Sequence, residues 1–210
     1  MEEYINKVIQ GDCLEVMKEI PDKSVDLLLT DPPYGIGKEK TTGFTKKRVD
    51  FNRYKTDIKV SKEYFDEMFR ISKNQVIFGA QYYLDYLPPT KEMWVWDKKT
   101  GANYFADGEL IWTSYNGTIR IFRHQWCGCF KDSERGIKAQ HPTQKPIVVM
   151  EWCLRKTKEN DIILDPFAGS GTTLVAAKKN GYNYIGIELT EDYIPIIKAR
   201  LSLPDTNPKE

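Results

Sequence analysis

The 210-residue chain contains no apolar run near the roughly 18 residues that a membrane-spanning helix needs. Its first residues, Met1-Glu2-Glu3-Tyr4, lack the basic and then apolar regions of a secretory signal, so a cytoplasmic protein is expected. Net charge is also scarce. Lys+Arg total 31 against 30 Asp+Glu, which leaves no overall field to attract nucleic acid. The only cysteines are Cys13, Cys127, Cys129 and Cys153, and in such a compartment they are read as reduced thiols rather than a disulfide framework. His124, Cys127 and Cys129 fall close together, but a structural zinc site wants four ligands at spacings such as Cys-x2-Cys, so no metal is expected. Internal repeats and low-complexity segments are absent as well.

What is present is an ordinary globular composition, 40% hydrophobic and 29% charged, in a chain of one-domain length. Val25–Thr30 is an apolar run stopped by Asp31-Pro32-Pro33, the pattern of a buried strand ending in a rigid turn. A helix is predicted over 61–72 with Ser61 as its cap, followed by strands over 75–79 and 93–96. Leu110–Trp112 and Thr118–Phe122 are expected to form a hairpin about Asn116-Gly117, the strongest short turn signal in the chain. Helices over 147–156 and 172–180, strands over 161–165 and 184–188, and a last helix capped by Thr190 complete the pattern. Trp94, Trp96 and Trp112 are expected in the core. Such alternation predicts an α/β fold with an open, mostly parallel sheet and helices on both faces. One domain over 1–203 is expected, with a flexible tail over 204–210. Between Lys38 and Lys62 nine Lys/Arg stand against three Asp/Glu, a local charge of +6, and 38–60 reads as a basic mobile loop.

Two segments follow predicted strand ends, where open α/β sheets bind ligands. In Asp165-Pro166-Phe167-Ala168-Gly169-Ser170-Gly171-Thr172 the glycines let the backbone turn sharply into a helix and approach a ligand closely. No lysine follows Gly171, so the segment is not a P-loop, and Leu174 stands where a dinucleotide fingerprint needs its third glycine. Glu188, at the end of the next strand, suits ribose hydroxyls. In Asp31-Pro32-Pro33-Tyr34 the prolines remove two backbone donors and leave carbonyl acceptors beside a carboxylate and an aromatic ring. That set suits a planar group bearing an NH2.

Together, and in this order, the segments resemble the exocyclic-amino DNA methyltransferases that use S-adenosylmethionine, in the circularly permuted group whose catalytic motif comes first. Gly11-Asp12-Cys13-Leu14, Trp96-Asp97-Lys98, His141-Pro142-Thr143-Gln144-Lys145-Pro146 and Gly186-Ile187-Glu188 extend the resemblance across nearly the whole chain. It implies a Rossmann-like methyltransferase fold. Asp165, Phe167, Ala168, Gly169, Ser170, Gly171 and Thr172 would line the methionine end of the cofactor, with Glu188 on its ribose and Asp12 and Cys13 at its adenine. His141, Thr143 and Lys145 would close the other side. Asp31, Pro32, Pro33 and Tyr34 would hold a target base extruded from double-stranded DNA. Asp31 favours adenine by association within the family; cytosine offers the same amine geometry and is the nearest alternative. An RNA or protein-glutamine methyltransferase and a non-catalytic DNA-binding protein are further readings.

Lys46, Lys47, Arg48 and Arg53 in the basic loop, with Arg120, Arg123 and Arg135 in a second basic stretch, are the expected DNA contacts. The recognition region implied over 118–140 is very short, which suggests a short recognition site, a homodimer or an auxiliary specificity partner. A cysteine nucleophile is not needed for amine methylation, and no Pro-Cys dipeptide occurs.

Overall fold

The protein is described by a computed structural model that covers residues 1–36, 57–101, 106–127, 130–136, 140–141 and 144–203. Most of the basic loop, with Lys46, Lys47, Arg48 and Arg53, lies outside the described residues, as do Thr143, Cys129, the Cys127 side chain and the tail from 204. The zinc question at His124 is therefore read from one residue alone: its Nε2 lies 2.9 Å from the Ser133 hydroxyl.

A strand covered on both faces must be apolar at nearly every position. The chain meets that demand at β2 (Val25–Thr30), where Val25 and Leu28 enter one core and Leu27 and Leu29 the other. Before it come β1 (Lys7–Gln10) and α1 (Cys13–Lys18). After it come α2 (Lys62–Ile71), β3 (Ser72–Phe78), a 3-10 turn at Ala80–Tyr82, β4 (Trp94–Asp97), β5 (Gly108–Thr113) and β6 (Arg120–Arg123). The two-residue strands β7 (Trp126–Cys127) and β8 (Phe130–Lys131) pair only with each other. Then follow α3 (Ile147–Cys153), β9 (Ile162–Asp165), α4 (Thr172–Lys179), β10 (Asn183–Glu188) and α5 (Tyr193–Ser202).

Eight strands form one sheet in the order β1-β10-β9-β2-β3-β5-β4-β6. Its pairs are parallel except β3–β5 and β4–β5, so β5 alone runs against the rest. One face packs residues of α1 and α2 (Met17, Phe65, Met68) against Leu28, Ile77 and Ile185. On the other, Val149 and Met150 of α3 and Ala176 of α4 cover Leu29, Phe78 and Trp94. α5 closes over α4 through Ile197, Leu201 and Leu174. This is the expected α/β arrangement, with Trp94, Trp96 and Trp112 buried as anticipated. No described helix is long and apolar enough to cross a membrane.

Two local expectations are corrected. No hairpin joins β5 to β6, because β4 lies between them in the sheet. The turn that a two-residue Asn-Gly loop favours needs positive φ at both residues, and neither Asn116 nor Gly117 has it. Gly117 packs instead against the buried Glu92 carboxylate, where a Cβ would come within 2.3 Å of Oε2. The last helix starts at Tyr193 behind Asp192 rather than at a Thr190 cap, since the Thr190 amide is drawn to Glu188 Oε1 at 2.8 Å. β1 and α1 carry too little periodicity in their few residues to be anticipated. β1 is held by parallel pairing to β10, and α1 by the Asp12 cap and three buried side chains.

Candidate active site

The chain moves from β2 to β3 in one direction along the sheet and from β9 to β10 in the other. Their crossover helices, α2 and α4, therefore lie on opposite faces, which makes the carboxyl ends of β2 and β9 the switch point where open α/β sheets form a ligand crevice. Asp31 follows β2 there, and Asp165 ends β9. One buried hydrogen bond joins the two strand ends, from the Thr30 hydroxyl to Asp165 Oδ1 at 2.7 Å across 135 positions of sequence. Burial raises the Asp165 carboxyl to about 6, against the hydrogen bonds from Thr173, Thr30 and the Phe167 amide that favour its charged form. Thr30→Val removes one of those bonds. Its cost is expected to be about 1–3 kcal/mol at pH 8, where Asp165 is ionised, and smaller at pH 5, where most of it is protonated. Urea unfolding at the two pH values checks this, and an equal cost at both would break the link to Asp165.

The glycine segment is a turn that ordinary residues do not make. Gly169 and Gly171 have φ of 53° and 78°, and a Cβ on Gly171 would come within 2.7 Å of Ile197 Cγ2. Ala168 donates to Ile187 O at 2.9 Å, which seats the loop on β10. Glu188 accepts from the Gly169 amide at 2.7 Å through the other oxygen from the one that holds Thr190. Its burial raises the carboxyl above the usual range, and each oxygen keeps lone-pair capacity for a ligand hydroxyl. Arg200, which sequence reasoning did not single out, lies under the loop. Its Nη1 donates to Ser170 O at 2.7 Å, Ser170 Oγ at 2.9 Å and Thr172 Oγ1 at 3.1 Å.

Around this loop the structure gathers most of the expected cofactor contacts. Asp12 caps α1 through the Leu14 amide at 2.9 Å and also receives the Tyr64 hydroxyl. Cys13 is buried, and that burial raises its thiol. Phe167 lies 6.2 Å from Tyr64, ring centre to ring centre. His141 packs 4.7 Å from the Tyr193 ring and borders Gly169. Lys145 stands apart from this group, on the side of Asp31.

There Tyr34 donates to Asp31 Oδ1 and Lys145 donates to Asp31 Oδ2. The Tyr34 ring stacks on Tyr82 with centroids 4.5 Å apart and meets Tyr83 edge-on. The two proline carbonyls differ in state. Pro33 O accepts the Tyr83 hydroxyl, whereas Pro32 O has no donor among the described residues. The expectation of two free carbonyls thus holds for one. Gly79, with φ of 68°, sits beneath Tyr34. Tyr83 and Gly79 follow β3 in a region of weak local signal, and only β2–β3 pairing brings them under the corner.

The corner is also an ion cluster. Lys145 lies 3.3 Å from Glu109 Oε2, and Lys98 donates to Glu109 Oε1. All these side chains are at most 19% exposed. Burial and the nearby Glu109 raise the Asp31 carboxyl, while the Lys145 and Lys98 ammonium groups hold Glu109 below the usual range. The expected DNA contacts are scattered. Arg120 and Arg123 lie on β6 at the sheet edge, with Arg123 3.3 Å from Asp97, and Arg135 donates to Lys131 O.

The methylase YubD of Escherichia coli strain K12 is 32% identical over 94% of this chain and 91% of its own. The crystal structure of the M1.HpyAVI–SAM complex superposes with a TM-score of 0.60 at 24% identity, covering 94% of this chain and 99% of that one. The cytosine-N4-specific PvuII DNA methyltransferase gives 0.63 at 18% identity, covering 96% and 88%. The DNA methylase family profile matches residues 73–199, and the chain belongs to that family.

Proposed function

We propose that the protein transfers a methyl group from S-adenosylmethionine to the exocyclic amine of an adenine extruded from double-stranded DNA, within one methyltransferase domain over 1–203. The observation that carries this reading is the crevice in which the Asp31–Tyr34 corner and the Asp165–Thr172 loop meet, tied by Thr30 and Asp165. The loop fits the cofactor: positive-φ glycines expose backbone beside the Glu188 carboxylate. Glu188 would hold the ribose, Asp12 and Cys13 the adenine side, and the loop with Phe167 the methionine end. The cofactor supplies an electrophilic methyl on a sulfonium, whose sulfur keeps the bonding electron pair as the methyl leaves.

The amine of adenine is a poor nucleophile because its lone pair is delocalised into the ring. Asp31 and Pro32 O accept hydrogen bonds from its two N–H groups, which favours a pyramidal nitrogen and localises the pair along the line of attack. The methylated nitrogen is cationic and returns to neutrality by losing one proton to Asp31. Tyr34 offers the stacking face for the base. Arg120, Arg123 and Arg135, with the basic loop, are the proposed phosphate contacts. A homodimer or auxiliary partner would compensate for the short recognition region. The fold likeness to the cytosine-specific enzyme favours cytosine as the second reading.

Modification-sensitive single-molecule sequencing of DNA from a methylation-deficient host that expresses the protein tests this directly. Adenine marks at a short motif are expected. Cytosine marks would keep the mechanism and overturn the base, and no marks at all would overturn the reading.

A further inference from the structure

We infer that Glu109 is a positioning residue: its free oxygen receives Lys145 when the target amine takes the place of Lys145 on Asp31. This rests on the proposed reaction, and it begins with an unmet acceptor. Glu109 Oε1 is held by Lys98, whereas Oε2 is buried and has no hydrogen bond among the described residues, although Lys145 Nζ lies 3.3 Å away. A buried carboxylate oxygen without a hydrogen bond costs free energy, and a second state that supplies the bond recovers it. Lys145 aims one of its three N–H groups at Asp31, and its 3.3 Å contact with Oε2 is an ion pair without hydrogen-bond geometry. Asp31 already accepts from Tyr34 at Oδ1 and from Lys145 at Oδ2, so an amine that binds at Oδ2 shares that oxygen with the ammonium unless Lys145 moves.

The competition is resolved within the cluster. A small shift of Nζ from Asp31 to Glu109 Oε2 empties Asp31 and completes the unmet acceptor in one motion. Two ammonium and two carboxylate groups keep the cluster's net charge the same before and after it. The ring of Phe78 lies 5.3 Å from Nζ and backs the lysine, so it has no path into solvent on that side.

The register explains the placement of Glu109. β5 runs against the sheet, with Ile111 opposite Phe78, so its first residues overhang the carboxyl ends of the parallel strands. Two residues back along the same face, Glu109 projects toward the Lys145 that leads into α3.

Glu109→Gln keeps the shape and removes the charge. Methyl transfer at saturating cofactor is expected to fall about 10- to 100-fold. Cofactor affinity by calorimetry should change less than threefold. The acid limb of kcat/KM should move to lower pH, because the variant removes a like charge near Asp31 and leaves Lys145 on it. The decisive measurement combines this change with Lys145→Met. Lys145→Met alone removes the ammonium that offsets Glu109 at Asp31, so the Asp31 carboxyl should rise further and be ionised less often. Adding Glu109→Gln to it should therefore raise activity, although the same change lowers activity in the native protein. Losses that multiply in the double variant, or a Glu109→Gln protein within threefold of native, overturn the inference. Native protein that methylates DNA while Glu109→Gln behaves normally would refute the role of Glu109 alone; native protein without transfer would refute the reaction itself.

Discussion

Asp31→Ala is expected to reduce methyl transfer by about 1,000-fold while cofactor affinity stays within a few-fold of native. The loss removes the acceptor that localises the amine lone pair and the base that takes the surplus proton. It also releases two donors at once, the Tyr34 hydroxyl and the Lys145 ammonium. The ammonium keeps Glu109 as a partner, so the variant should fold. Cofactor affinity is spared because Glu188 and the glycine loop lie on other strands. The native pH profile is expected to carry the same signature. Burial and Glu109 raise the Asp31 carboxyl above its ordinary value, and only the ionised form accepts from an amine. kcat/KM should therefore fall as pH drops through that raised value, and the fall should be missing from any residual activity of Asp31→Ala. Labelled-methyl transfer onto DNA across pH, with calorimetric titration of the cofactor, measures both. Retained transfer in the variant would remove Asp31 from the mechanism.

Gly79→Ala is expected to be nearly as damaging, through geometry alone. The residue sits at φ 68°, where a side chain costs about 1–2 kcal/mol. A Cβ there would fall 2.1 Å from Tyr34 Cε1, so the ring must leave its place. Displacing it breaks the stack on Tyr82 and the bond to Asp31 together. We expect about 2–4 kcal/mol of lost stability in urea and a drop of about 100-fold in kcat, with the glycine loop still competent to bind cofactor. A folded Gly79→Ala protein with native kcat would show that the position of Tyr34 does not govern transfer.

These two residues differ in how visible they are in the chain. Asp31 announces itself: a carboxylate, two prolines and a tyrosine after an apolar run have few other uses. Gly79 looks like any glycine at a strand end, and its role depends on β3 lying beside β2. Glu109 is less legible still. It sits in Gly108–Thr113, whose neighbours suggest a strand and nothing of a site. The hairpin expected about Asn116-Gly117 failed for a related reason. Turn chemistry is a local preference, and the pairing of β4 with both β5 and β6 outweighed it. Lys145 was legible as part of the His141–Pro146 segment, but its side of the crevice was not.

The sequence by itself determined the alternation of strands and helices, the two-faced burial of β2, and the two loops that carry the chemistry. Each depends on side-chain periodicity or on backbone angles that proline and glycine impose over a few residues. Tertiary structure alone decided that β2 and β9 are neighbours, so that Thr30 reaches Asp165. It also decided that β5 runs backwards, so that Glu109 overhangs the crevice, and that Arg200 of the last helix braces the glycine loop. Strand order and direction are chosen by which faces bury best against one another across the whole sheet, and no short stretch of sequence contains that sum.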